Sequence, residues 1–327
     1  MTSPSALFIG GTGRISAACV RQAAVQGFDV TVLNRGRTQL RPLPEGVRRI
    51  TADTQDGAAL RAAVGDRRFD VVAQFTAKEP AQVKLDLDVF AGRVGQYIFI
   101  SSASAYQKPV ARLPITESTP LANPFWQYSR DKIACEDLLT AAYRESGFPM
   151  TIIRPTHTYD QTGHPFDGGW TVVDRMRRGK PVVVHGDGTS LWVMTYHEDF
   201  ARAFVAVLAN PLTIGDTFHI TSDEVLTWNQ IYEIMAAAAG VEARLVHVAS
   251  ETIAKTVPAI GPHLLGDKAH SVIFDNSKIK AVAPSWTAVT PFARGAAEIV
   301  AWHDADPDRK QIDRELDAAM DEIIEAQ

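Results

Sequence analysis

The chain has 327 residues, of which 46% are hydrophobic and 22% charged, an ordinary globular composition for which disorder is not the default. A formal net charge of −5 argues against broad nucleic-acid binding, which favours a basic footprint, and no apolar run reaches the roughly 18–20 residues of a membrane span. Two cysteines, Cys19 and Cys135, fall in helical patterns and predict half-buried free thiols; with no signal-peptide pattern at the N-terminus they point to a reducing, cytoplasmic compartment.

From the N-terminus, residues 6–9 read as a short apolar strand. Residues 15–26 follow a helical period, with Ile15, Ala18, Cys19 and Ala23 near one face, and Gly27 stands where a helix end needs positive φ. Strand patterns recur at 29–33, 48–51, 69–75 and 96–101, with a helical stretch at 58–64. Such apolar strands alternating with helices predict a parallel sheet covered on both faces. A long helix is expected over 128–143 and a sixth strand over 150–154. After Pro155 the loops lengthen. Residues 217–221 read as a strand returning to the sheet, 224–305 mix short helices with strands such as 244–248, and 308–325 form an amphipathic acidic helix.

Residues 7–16, LFIGGTGRIS, run from the first strand into the first helix. Gly11-Thr12-Gly13-Arg14-Ile15-Ser16 fits G-x-G-x-x-G/A with serine in the last place, and Gly10 and Gly13 fit a G-x-x-G spacing. Glycines there permit a tight turn, let backbone approach phosphate oxygens and seat the helix close to its strand, while the helix N-terminus offers free N–H groups to a pyrophosphate. The fold class is therefore α/β, a Rossmann-type doubly wound parallel sheet with a smaller C-terminal substrate-binding region. The expected division is 1–158 for the dinucleotide-binding part with a return strand near 195–222, 159–194 and 223–305 for the substrate region, and 306–327 for a terminal helix. At the end of the second strand the chain reads Asn34-Arg35-Gly36-Arg37, with no carboxylate for a ribose 2′-hydroxyl. Arg35 suits a 2′-phosphate, and Arg14 could reach the same group, so NADP is preferred over NAD. Arg37 reads more simply as a solvated loop charge. Asp53 either accepts from the adenine amino group or caps a turn. Phe75 and Thr76 end the fourth strand beside the middle of the cofactor.

Tyr128-Ser129-Arg130-Asp131-Lys132 sets a tyrosine and a lysine four apart on one helix face. A nearby ammonium favours phenolate and would lower the phenol pKa from about 10. Just upstream, ISSASAY (100–106) ends the fifth strand, and Ser102 there could polarise a substrate hydroxyl or carbonyl. Ser104 is a rival or a substrate contact, and Ser101 reads as structural. His157, His164 and His197 lack a metal-ligand spacing, so no metal is expected.

GGTGRIS, NRG, TAD, ISSASAY, YSRDK, IIRPTHTYD and HGDGTSLWVMTYHEDFARA occur in one order over residues 5 to 305. Together they resemble the extended short-chain dehydrogenase/reductases, the NAD(P)-dependent epimerase/dehydratase group. The resemblance implies Tyr128 as acid/base, Lys132 as its electrostatic partner and ribose ligand, and Ser102 as hydroxyl partner. It places Pro155 to His157 beside the nicotinamide and implies a homodimer through the tyrosine helix and the preceding helix near 80–93. His157, Ser104 and Trp192 are candidate substrate contacts. The chain departs from the group at Ser16, at QFTA after the fourth strand, at Ala103-Ser104 where dehydratases carry an acidic pair, and at Ser190-Leu191-Trp192 where many sugar-nucleotide enzymes carry an arginine. The expectation is an oxidoreductase or epimerase acting on a secondary alcohol of a small sugar-like molecule, with the outcome and a nucleotide diphosphate on the substrate both left open. The alternative is a non-catalytic NADP-sensing or RNA-associated regulatory protein on the same fold.

Overall fold

The structure, a computed structural model, describes residues 3–37 and 40–327. Its strands are β1 (Ser5–Ile9), β2 (Asp29–Asn34), β3 (Arg48–Thr51), β4 (Phe69–Gln74), β5 (Val94–Ile100), β6 (Met150–Pro155), β7 (His157–Tyr159), β8 (Val182–His185), β9 (Leu191–Trp192), β10 (Met194–Tyr196), β11 (Thr217–Ile220), β12 (Leu226–Thr227) and β13 (Leu245–Val248). The helices are α1 (Ser16–Val25), α2 (Gly57–Val64), α3 (Pro80–Phe90), α4 (Gln127–Ser146), α5 (Trp170–Arg177), α6 (His197–Val207), α7 (Trp228–Ala238), α8 (Ser250–Thr256), α9 (Gly261–His263), α10 (Ser277–Val282), α11 (Phe292–Asp304) and α12 (Arg314–Glu325).

Seven parallel strands form the main sheet in the order β11-β6-β5-β4-β1-β2-β3. The order reverses between β1 and β4, which opens a crevice at their carboxyl ends. Alternate strand residues feed two cores. On one face Phe8, Val32 and Ile98 meet α1 and α6 through Cys19, Phe200 and Phe204. On the other, Leu7, Val72 and Phe99 meet α2, α3 and α4 through Leu60, Val83, Cys135 and Leu139. A third core gathers Trp170, Trp192, Trp228 and Phe292 beneath three two-stranded ribbons, β7 with β10, β9 with β12 and β8 with β13. Against it docks α12, whose Asp317 and Asp321 accept from the fully buried guanidinium of Arg175 at 2.6 and 2.8 Å. No described helix is long and apolar enough to cross a membrane.

The elements fall where the sequence pattern places them, with shifted ends. Helix α1 starts at Ser16, because that side chain accepts from Gly13 N at 2.8 Å and donates to Gly10 O at 2.5 Å, holding the turn out of the helix. Strand β4 stops at Gln74 rather than Phe75, since Gln74 Oε1 takes the N–H groups of Thr76 and Ala77 and turns the chain. Helix α12 begins at Arg314 and not near 308, because Asp306 and Asp313 cap two separate helical pieces. Cys19 and Cys135 are wholly buried, not half-buried, since each lies on the helix face turned to the sheet.

Candidate active site

At the crevice, an open cleft of about 470 Å3 lies against the ends of β1, β2 and β4. Gly10 sits at φ +88°, and a Cβ there would stand 2.2 Å from Thr76 Cγ2. A Cβ on Gly11 would meet Val32 at 2.7 Å. The turn is therefore pressed close to two strands, and only glycine lets its backbone line a groove so shallow. Gly10, Thr12, Gly13, Asn34, Arg35, Asp53, Phe75 and Thr76, eight of the residues singled out in the sequence, all border the cleft. Gly11 and Ile15 lie under it and pack into the sheet. Asn34 Nδ2 reaches Thr12 Oγ1 at 3.4 Å and its Oδ1 accepts from Gly36 N, tying the β2 turn to the glycine turn. Asp53 accepts from Gln55 N at 3.0 Å, so it shapes its turn while facing the cleft.

The arginines are arranged differently from the sequence expectation. Arg14 is not among the cleft's lining residues; its Nε lies 3.8 Å from Asp160 Oδ1 and its side chain packs over Gly163. Burial holds its pKa below the usual arginine value. Arg37, read as a loop charge, borders the cleft together with Arg35 and Arg41. Arg41 also reaches across to Asp160 at 2.6 Å and to the Thr162 hydroxyl. Burial would raise the Asp160 pKa, but hydrogen bonds from Arg41 and Thr162 outweigh it and keep the carboxylate ionised.

A second cavity, of about 520 Å3, opens beside the ends of β5 and β6. Ser102, Ser104, Tyr128, Pro155, His157 and Trp192 line it, bringing together residues from four separate parts of the chain. Burial pushes the Tyr128 phenol up to about 12, with Ser102, placed to donate toward the phenol oxygen, working the other way. The expected lowering by Lys132 is not seen. Lys132 Nζ lies 5.8 Å from the Tyr128 ring centre, buried against the Phe99 ring, where it donates to Ala77 O and Ile100 O at 2.7 Å each. Burial lowers its own pKa to about 8. Lys132 borders neither cavity, so the ammonium underpins the floor between them. His157 Nδ1 accepts from Trp192 Nε1 at 3.3 Å, and burial brings its pKa down to about 3. It is thus a neutral imidazole with its proton on Nε2.

Sequence reasoning missed the far wall. His263, Asp267 and Lys268, on α9 and the π-helical turn Leu264–Lys268 that follows it, face the same cavity. His263 and Lys268 share Asp167 at 2.8 and 3.0 Å, and Asp267 lies 3.3 Å from the buried Lys108 ammonium. Asn123 ties this wall to the serine turn, donating to Gly266 O and Ser104 O at 2.7 and 2.9 Å. Lys78, just past QFTA, borders both cavities. Its place after β4 was a readable signal, whereas the far wall had none.

A parallel sheet with a glycine turn at its switch point, beside a tyrosine–serine cavity, defines a Rossmann-like fold of the dinucleotide-binding type. Residues 6–221 match the NAD dependent epimerase/dehydratase family, and the chain belongs to it. The 2'-dehydrokanamycin reductase of Streptomyces kanamyceticus is 28% identical over 285 residues, covering 86% of this chain and 79% of the reductase. The chloroplast stem-loop binding protein of 41 kDa b of Arabidopsis thaliana is 26% identical over 74% of this chain and 65% of its own. Among solved structures, UDP-glucose 4-epimerase of Thermotoga maritima shares the fold at TM-score 0.73 with 20% identity, over 92% of this chain and 99% of that one.

Proposed function

We propose that the protein is an NADP(H)-dependent oxidoreductase or epimerase that interconverts a secondary alcohol and its ketone on a sugar-like substrate. The observation that carries this reading is the shared cavity: Tyr128 and Ser102 face it together, beside a glycine-cradled cleft. The cleft fits a dinucleotide, because Gly10 brings bare backbone to its wall where a Cβ would stand 2.2 Å from Thr76 Cγ2. Arg35, Arg37 and Arg41 border it with no carboxylate at the end of β2, which favours a 2′-phosphate over a bare 2′-hydroxyl. NADP(H), when bound, supplies or accepts the hydride.

This chain's own residues do the rest. Ser102 donates to the substrate oxygen and fixes its position. Tyr128 gives its phenol proton to that oxygen in reduction and takes it back in oxidation. Lys132, held by the carbonyls of Ala77 and Ile100, offers N–H donors to the ribose once drawn from them, and only from there would its charge favour the phenolate. His157 and Trp192 wall the cavity as a neutral donor and an apolar plate. The likeness to a reductase whose name carries an aminoglycoside ketone supports a substrate without a nucleotide diphosphate. So does Trp192, which stands in the GDGTSLW segment with no arginine beside it.

The test is turnover of NADPH and NADH, followed at the nicotinamide absorbance, against aminoglycoside ketones, free keto-sugars and nucleotide-diphosphate sugars. Product inversion without net cofactor change separates an epimerase from a reductase. Tyr128→Phe is expected to lower kcat by about 10²–10⁴-fold while NADPH binding persists. Full turnover in that variant would end the mechanism. The likeness to a stem-loop binding protein supports the non-catalytic reading; tight RNA binding in a gel-shift titration, with no turnover across the panel, would favour it.

A further inference from the structure

Three serines form a hydroxyl chain behind the reactive groups. Ser129, next to Tyr128 on α4, is wholly buried, and its Oγ donates to Ser104 Oγ at 2.8 Å. Ser104 Oγ lies 2.8 Å from Ser102 Oγ, and the Ser104 backbone N–H also donates to Ser102 Oγ at 3.2 Å. Asn123 pins this turn through the Ser104 carbonyl.

A hydroxyl has one proton and two lone pairs. Ser104 Oγ receives the Ser129 proton, and its hydrogen-bond partners among the described residues are the oxygens of Ser129 and Ser102. Among the described residues its own proton therefore has one acceptor, Ser102 Oγ. The reverse polarity would leave that proton without a protein partner and give up the 2.8 Å bond that fixes Ser102. Ser102 Oγ then accepts twice, from the Ser104 O–H and N–H. Both lone pairs are spent, and its remaining proton is directed into the cavity shared with Tyr128.

We infer that Ser129 and Ser104 are positioning residues that lock Ser102 as a hydrogen-bond donor to the substrate oxygen. Ser102 so arranged cannot accept the substrate's proton, and the proton transfer falls to Tyr128 alone. In reduction the donor stabilises the charge that builds on the oxygen, as a preorganised oxyanion contact does. This inference rests on the functional reading above, and it extends that reading to Ser129, which touches neither substrate nor cofactor.

The polarity is tested without a substrate in the full chain carrying [3-13C]serine. In half-deuterated water a slowly exchanging hydroxyl splits its Cβ resonance in two. Ser129 and Ser104 are expected to split, while Ser102, open to the cavity, gives one averaged line. A split Ser102 line beside an unsplit Ser104 line overturns the proposal.

Kinetics supply the second arm, on whichever panel ketone the wild type reduces. Ser102→Ala is expected to cost about 10²–10³-fold in kcat, as loss of one oxyanion donor does. Ser104→Ala and Ser129→Ala should each lower kcat about tenfold with KM little changed, and the double variant should be no slower than Ser104→Ala, because residues of one chain do not add. Ser104→Thr should restore the rate, and thermal unfolding checks that each variant is folded. Multiplying losses, or wild-type kcat in Ser104→Ala, overturn the positioning role. If Ser102→Ala itself keeps full turnover, the functional reading fails, and the serine chain fails with it as a catalytic device.

Discussion

Asp86 offers a test of the buried frame beneath the site. It lies on α3 with its side chain enclosed, and one carboxyl oxygen accepts from Gln74 Nε2 at 2.7 Å and Tyr97 OH at 2.6 Å. Burial raises its pKa from 3.8 to about 6, with the bonds from Tyr97 and Gln74 pulling partly back. Between about pH 4 and 6 the folded protein thus keeps a proton that the unfolded chain has lost. Stability falls as pH rises through that window and is level above it. A gap of about two pKa units at 1.36 kcal/mol each is about 3 kcal/mol. Asp86→Asn leaves a carbonyl for both donors and removes the charge, so the variant should not show that fall. With unfolding entropy near 2.1 cal/mol/K per residue, a 327-residue chain converts 3 kcal/mol into a Tm difference of about 4 °C. The assay is Tm of both proteins from pH 4 to 7.5. The wild type should lose about 4 °C relative to Asp86→Asn across the range, whatever their offset at pH 4. Parallel curves would refute the buried-carboxylate argument.

Two further outcomes concern the cleft. Gly10→Ala places a Cβ 2.2 Å from Thr76 at a φ of +88°, so it should cost about 1–3 kcal/mol in denaturant unfolding and weaken NADPH binding; an unchanged midpoint would contradict the close approach. Arg35→Ser should weaken NADPH about 10–100-fold, the worth of a charge-assisted phosphate contact, and leave NADH within about twofold. Equal losses for both cofactors in a fluorescence titration would remove Arg35 from the 2′ site.

Strand and helix alternation in the first half was readable because the central strands bury both faces and are apolar in long runs, as in ALFI of β1 or YIFI of β5, whereas the edge strand β3, RRIT, is largely exposed. The glycine turn and the tyrosine–lysine spacing were readable because they are local. What escaped depends on direction and distance. No pattern tells that Ser16 folds back on Gly13 and Gly10, that Arg14 turns to Asp160, or that Lys132 seeks two carbonyls rather than its neighbour's phenol. These side chains are long or lie beside unsatisfied backbone, and burial decides which partner they take. The wall of His263, Asp267 and Lys268 comes from sequence more than 130 residues after Tyr128, brought in by packing of the third core.

Arg175 carries a consequence for the order of events during synthesis. Its guanidinium is wholly enclosed, and its two carboxylate partners lie 142 and 146 residues later on α12. Until α12 leaves the ribosome, the charge has only the Pro181 carbonyl among these partners. A buried charge stripped of its partner costs about 3–5 kcal/mol, enough to keep the core around Trp170 open. The seven-stranded sheet can close as it is made, whereas the core around Trp170 waits for α12. A chain cut before α12 would then hold a formed glycine-turn cleft beside an open core around Trp170, Trp192 and Trp228.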